Sequence, residues 1–158
     1  MEKKSNISFE EFLNLLESFE KEEKLIEFKP KELIVVGDLH GDVETLSKIV
    51  KVSKILERRE REILFLGDYG DRGKYQVETY FLLLQLKEKI KERMRMLRGN
   101  HEYEEGLEVY PHDFPFHLFH YFGYEKSRIL YERIRKFWNK LAYSALIEGK
   151  YFFVHGGV

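Results

Sequence analysis

Four of the five aspartates in this chain, Asp38, Asp42, Asp68 and Asp71, lie in two short Gly-rich loops, against 23 glutamates in the whole sequence. Eight of the 11 glycines lie in segments of the same kind: Gly37, Gly41, Gly67, Gly70, Gly73, Gly99, Gly156 and Gly157. A solvated surface built from Glu and Lys has no reason to place its aspartates this way. Short carboxylates on tight turns suit a hard metal ion.

Each segment follows a strand signal. Leu33 to Val36 reads as a buried strand ending in Gly37-Asp38-Leu39-His40-Gly41. Asp42 is read as the cap of a helix to about Glu57, with Val43, Leu46, Ile49 and Val50 inward. Ile63 to Leu66 is a second strand, ending in Gly67-Asp68-Tyr69-Gly70-Asp71-Arg72-Gly73. A helix with Val77, Phe81, Leu84 and Leu86 follows, then a third strand, Met94 to Leu97, ending in Arg98-Gly99-Asn100-His101-Glu102. This alternation predicts an α/β fold with a parallel βαβαβ core and right-handed crossovers. Ligand crevices of open α/β sheets form at such strand ends, and three polar loops converge there.

Upstream, Ser8 to Phe28 reads as an amphipathic helix with capping-box spacing at Ser8 and Glu11. It is expected to pack residues 1–30 onto a core formed by residues 31–158. Pro30 ends it. Downstream, the stretch from Tyr110 to His120 reads as irregular and rich in histidine and aromatics. Its Phe114 to Tyr124 part is expected to be core or a lid. A helix from about Ser127 to Lys140 is predicted, with Trp138 buried. A hairpin of Ala145–Ile147 and Tyr151–Val154 then delivers His155-Gly156-Gly157. His112, His117 and His120 are read as packing or surface residues, with only His112 and Asp113 close enough in pattern to a metal crevice to merit attention.

Bulk properties narrow the function classes. The chain has 158 residues, 43% apolar and 35% charged, with a formal net charge of −1. It fits one globular domain, and no global field draws it to nucleic acid or an anionic membrane. There is no cysteine, so disulfides and thiolate metal sites are excluded. Met1 to Asn6 is polar, unlike a signal peptide. A cytoplasmic protein is expected.

Asp38 and His40, one residue apart in an extended loop, are expected to point the same way. Asp68, Asn100 and His155 would arrive from three other chain segments. Aspartate, asparagine and histidine together suit a divalent ion such as Mn, Fe or Zn. One carboxylate bridging two such ions would hold them about 3.5–4 Å apart, the spacing used for in-line displacement at phosphorus. For Asp71 and Arg72 a mutual surface salt bridge is the plainer alternative.

Gly-Asp-x-His-Gly, Gly-Asp-x-x-Asp-Arg-Gly, Gly-Asn-His-Glu and a later His-Gly-Gly, in this order, resemble the Ser/Thr phosphoprotein phosphatases of the calcineurin-like metallophosphoesterase superfamily. The resemblance covers about residues 33 to 158. It implies a metallophosphoesterase-type four-layer β-sandwich. It implies two divalent metal ions, the first held by Asp38 and His40, the second by Asn100 and His155, with Asp68 bridging. His101 would be the general acid, oriented by Asp71. Arg72 would grip phosphate oxygens together with Asn100, and Glu102 would support the ligands from behind. The implied reaction is hydrolysis of phosphoserine or phosphothreonine in a phosphoprotein by direct attack of hydroxide held between the metals. In this family the chain runs on past His-Gly-Gly and supplies another metal-binding His and phosphate-binding Arg, so a fragment of a longer protein is expected. Competing readings are a nucleotide phosphoesterase acting on dinucleoside polyphosphates, and a phosphate- or partner-binding module with impaired catalysis.

Overall fold

The computed structural model describes residues 7–103, 106–107 and 109–157; the polar Met1–Asn6 stretch lies outside them. In chain order the elements are α1 (Phe9–Ser18), β1 (Leu25–Glu27), β2 (Glu32–Val36), α2 (Val43–Ser53), β3 (Arg61–Phe65), α3 (Gln76–Ile90), β4 (Met94–Met96), α4 (Phe114–Phe122), α5 (Tyr124–Trp138), β5 (Ser144–Ile147) and β6 (Tyr151–Val154). Among the described residues the strands form two three-stranded sheets. One is β2-β3-β4, all parallel, with α2 and α3 as crossovers. The other is β1-β5-β6, with β1 parallel and β6 antiparallel to β5.

Period-two alternation explains the layering. In β3, Ile63 and Phe65 join the large core beneath the helices, while Leu64 points the other way into a smaller core with Ile26, Phe28, Leu97, Ala142 and Ala145. The first sheet therefore has helices on one face and the second sheet against the other, with Val35 on the edge strand β2 still exposed. A parallel bridge between Leu97 and Ala142 ties the sheets together. The described residues thus form three layers of a metallophosphoesterase-type α/β sandwich. No helix among them is long and apolar enough to cross a membrane.

Three sequence expectations require correction. The N-terminal helix ends at Ser18, not Phe28. Lys140 Nζ donates to the Phe19 carbonyl at 2.7 Å, and Phe19 packs edge-on against Phe137. Tertiary contacts thus override the helix propensity of Lys21–Lys24, and Leu25–Glu27 joins the second sheet instead. The first crossover helix stops at Ser53, because Lys54 adopts a left-handed conformation at φ 51°. The stretch read as irregular holds α4. Its signals were present: Pro115 in the first turn and Gly123 immediately after Phe122. Phe114 and Leu118 bury one face of it, while Phe116 and Phe119 stay exposed. The expected caps at Ser8 and Asp42, the hairpin and the buried Trp138 are all found.

Candidate metal centre and catalytic dyad

The loops after β2, β3 and β4 are stitched edge to edge. The Leu39 and His40 amides donate to the Asp68 carbonyl at 3.0 and 2.9 Å, and Gly41 donates to Tyr69 at 2.9 Å. Glu102, fully buried, accepts from the amides of Asp68 (2.8 Å), Tyr69 (2.9 Å) and Gly99 (3.0 Å) and from the Tyr80 hydroxyl (3.1 Å). Burial raises its carboxyl above the ordinary value, and the amide hydrogen bonds oppose that. The approach is close enough that a Cβ on Gly67, at φ 115°, would collide with the Gly99 backbone, and one on Gly73 with the His40 carbonyl. Four site residues with side chains, His40, Asp68, Asp71 and Arg72, take positive φ of 44° to 67°. Such conformations cost about 1–3 kcal/mol each and persist only where surroundings enforce them.

These loops, with the turn after β6, bring Asp38, His40, Asp68, Asn100 and His155 around one crevice. His40 Nδ1 lies 2.8 Å from the Gly70 carbonyl and so carries the hydrogen, leaving Nε2 with a lone pair. That Nε2 is buried without a hydrogen-bond partner. It faces Asp68 Oδ2 at 3.5 Å and Asp38 Oδ2 at 3.7 Å. His155 is held in the same way at Nδ1, but unlike His40 its Nε2 has a hydrogen-bond partner in Asn100. Its Nδ1 lies 3.1 Å from the Leu66 carbonyl, and Nε2 faces Asn100 Oδ1 at 2.9 Å and Asp68 Oδ1 at 3.4 Å. At His40 an acceptor faces acceptors, and a buried lone pair without a donor is costly. Cations between them turn that repulsion into coordination, so the residues present fit metal binding. Asp68, 2% exposed, offers one oxygen to each imidazole and belongs to both ligand groupings, with His40 in one and with Asp38 and His155 in the other. Asp38 and His40 do converge. The cause is the turn at His40 rather than simple strand alternation.

Beside the crevice, His101 Nδ1 meets Asp71 Oδ2 at 2.7 Å, and its ring stands edge-on to His40 at 4.8 Å. Arg72 Nη2 lies 3.0 Å from His101 Nε2. Arginine is always a donor, so Nε2 accepts here. Asp71 is 1% exposed. Burial works to raise its carboxyl, but hydrogen bonds from His112 and His101 prevail and hold it below the ordinary value. The Asp71–Arg72 salt bridge offered as an alternative is not what forms: Asp71 and Arg72 each engage His101 instead.

The sequence reading missed Gln76 and gave His112 and Asp113 no role beyond nearness to a metal crevice. Gln76, fully buried, accepts from the Asp71 amide and donates to Gly73 and Asp113. Asp113 also accepts from the Arg72 amide at 3.0 Å. His112 sits 2.9 Å from Asp71, a role beyond packing. His117 lies 3.8 Å from the partly exposed Asp113, and His120 stands edge-on to Phe116, so both remain peripheral.

Glu102→Gln tests how firmly the loops are joined. Either amide orientation sets an N–H₂ group against a backbone N–H, leaving at least one buried donor unpaired. The expected loss is about 1–3 kcal/mol in urea unfolding. An unchanged midpoint would show that the carboxylate does not hold the loops.

The comparisons agree with this architecture. Residues 32–158 match the family model described as calcineurin-like phosphoesterase. The chain is similar in structure to a protein serine/threonine phosphatase from Saccharomyces cerevisiae with similarity to human phosphatase PP5, at TM-score 0.71 and 22% identity over 95% of this chain and 46% of that one. It is also similar to a cold-active protein tyrosine phosphatase, at TM-score 0.65 and 20% identity over 98% of this chain and 47% of that one. A cold-active protein-tyrosine phosphatase of a psychrophilic Shewanella species matches at TM-score 0.65 and 19% identity, over 92% and 46% of the respective chains. This chain spans slightly less than half the length of each of these proteins.

Proposed function

Because this chain belongs to the calcineurin-like phosphoesterase family, we propose that it is the site-bearing part of a cytoplasmic, metal-dependent phosphoprotein phosphatase acting on phosphoserine or phosphothreonine. The observation that carries this reading is the His101–Asp71 pair at 2.7 Å, set directly beside a cluster of metal donors. Asp38, His40, Asp68, Asn100 and His155 would hold two divalent cations. Bound there, the cations would acidify water and neutralise charge on the phosphoryl oxygens.

The chain's own residues supply the rest. Arg72 reaches the crevice as a guanidinium fork, the shape that matches phosphate oxygens. It rests on His101 Nε2 at 3.0 Å. Moving onto an arriving phosphate releases that nitrogen to carry a proton. Asp71 then stabilises the imidazolium from Nδ1, and His101 Nε2–H donates to the departing alkoxide. A serine or threonine alkoxide is a poor leaving group, so this proton is essential. Asn100 provides an amide at the crevice for a phosphate oxygen. A phosphotyrosine would leave as a more stable phenolate and depend less on His101.

The test is turnover with Mn²⁺ of three substrates: a phosphoserine peptide, a phosphotyrosine peptide and a dinucleoside polyphosphate. Preference for the phosphoserine peptide is expected. Preference for the dinucleotide would replace the proposal with nucleotide hydrolysis. Retained metal without turnover of any of them would favour a binding module.

A further inference from the structure

We propose that His112 is a positioning residue for the His101–Asp71 pair, an inference that rests on the phosphatase reading above and deepens it. Asp71 is saturated with donors. Its Oδ2 receives both His101 Nδ1 at 2.7 Å and His112 Nδ1 at 2.9 Å. Its Oδ1 receives the amides of Asp113 and Phe114, each at 3.0 Å. An ionised carboxylate has no hydrogen to give, so both imidazoles carry theirs on Nδ1.

His112 is itself oriented from behind. Its Nε2 lies 2.7 Å from the Tyr131 hydroxyl, and Tyr131 lies 2.9 Å from the Tyr103 hydroxyl. In the neutral ring with its hydrogen on Nδ1, Nε2 accepts from Tyr131, which in turn accepts from Tyr103. The donors therefore run in one direction and end on Asp71, each polarising the next. Tyr103 and Trp138 stand edge-on to the His112 ring at 5.0 and 6.2 Å. Tyr131 and Trp138 both belong to α5. The loop carrying Asp71 is thus anchored to a helix that contributes nothing else to the crevice.

His112 fixes Asp71 Oδ2 against rotation and so fixes the ring plane of His101. A merely structural His112 would fill space between Tyr103 and Trp138, which Phe does equally well. The two roles separate by chemistry. His112→Phe keeps the ring and removes both nitrogens. His112→Asn keeps a donor near the Nδ1 position. If His112 acts through proton delivery, His112→Phe lowers kcat on a phosphoserine peptide by about tenfold, with KM within about twofold. Turnover of 4-nitrophenyl phosphate, whose leaving group needs no proton, stays within about twofold. His112→Asn recovers most of the loss. Tyr131→Phe, which leaves the His112–Asp71 contact in place, gives a smaller loss of the same kind and serves if His112→Phe does not fold.

A second readout does not depend on activity. In ¹⁵N-labelled protein the His101 Nδ1–H resonance should shift in His112→Phe, because Asp71 Oδ2 loses one of its two side-chain donors. Equal losses on both substrates, no loss, equal behaviour of the Asn and Phe variants, or unshifted His101 resonances would each overturn the proposal. If the unaltered protein turns over neither substrate, the phosphatase reading fails. The resonance shift then still decides whether His112 sets the His101 ring.

Discussion

Asp68→Asn is expected to lower turnover by at least about 10³-fold and to weaken binding of both metal equivalents together. The reason lies in where its two oxygens point. Asp68 Oδ2 faces His40 Nε2 at 3.5 Å and Oδ1 faces His155 Nε2 at 3.4 Å, so a single charge serves both sides of the crevice. An asparagine cannot do so: one of its atoms becomes an N–H₂ group, which does not ligate a cation. Charge stabilisation by a bound cation is worth several kcal/mol, and each 1.36 kcal/mol is tenfold in rate. The metal-free protein should respond in the opposite sense. Without cations Asp68 is a buried carboxylate whose Oδ2 faces the unpartnered His40 Nε2, so Asp68→Asn should leave the metal-free protein as stable as before or more so. It also preserves an acceptor for the His101 amide, now at 2.9 Å from Oδ1. Calorimetric Mn²⁺ titration and urea unfolding with and without metal check both halves. Unchanged affinity for both equivalents would refute the shared-carboxylate arrangement. A uniform loss of stability would mean that Asp68 is structural.

The parts of this site that were legible in the sequence are those fixed by local rules. Gly37 and Gly67 follow apolar runs and Gly99 comes two residues after Leu97, all at strand ends, and parallel pairing of β2, β3 and β4 then places their loops side by side without further information. Asp42 caps its helix through an acceptor for the Thr45 amide, as a cap next to a periodic stretch should. What was not legible depends on contacts distant in sequence. β1 exists because Ile26 meets Ala145, a partner on the far side of the chain, and three residues carry no periodicity of their own. Gln76 looks like an ordinary first-turn helix residue until the loop at Asp71 folds over it. His112 stood apart from His117 and His120 only by its nearness to the metal loops, with no partner assigned to it. Its place opposite Asp71 follows from Tyr131 and Trp138 on α5, which no short motif encodes. The motif-bearing loops are readable because glycine and strand ends are local signals. Their supports are not, because tertiary packing selects them.

His101→Asn is expected to cut kcat on a phosphoserine peptide by about 10² to 10⁴-fold while metal content stays unchanged. The geometry leaves a rival, since His101 also lies within ligand distance of His40 and Asp68. Ring occupancy decides between them. Both His101 nitrogens are engaged, Nδ1 by Asp71 at 2.7 Å and Nε2 by Arg72 at 3.0 Å. His40 Nε2, by contrast, is buried with no partner. A nitrogen that accepts from an exposed guanidinium is set to exchange that donor for a proton. A nitrogen with a lone pair and no donor is set to bind a cation. Asparagine keeps a donor for Asp71 near the Nδ1 position and removes Nε2, so the loop stays in place while the acid is lost. The deficit should shrink sharply for 4-nitrophenyl phosphate, because nitrophenolate leaves without a proton. KM should move little, since Arg72 and the cations carry phosphate binding. Metal analysis of the purified variant gives the decisive number. Loss of one equivalent would make His101 a ligand and leave the reaction without its assigned acid. Full occupancy with a deficit confined to poor leaving groups would fit only the acid.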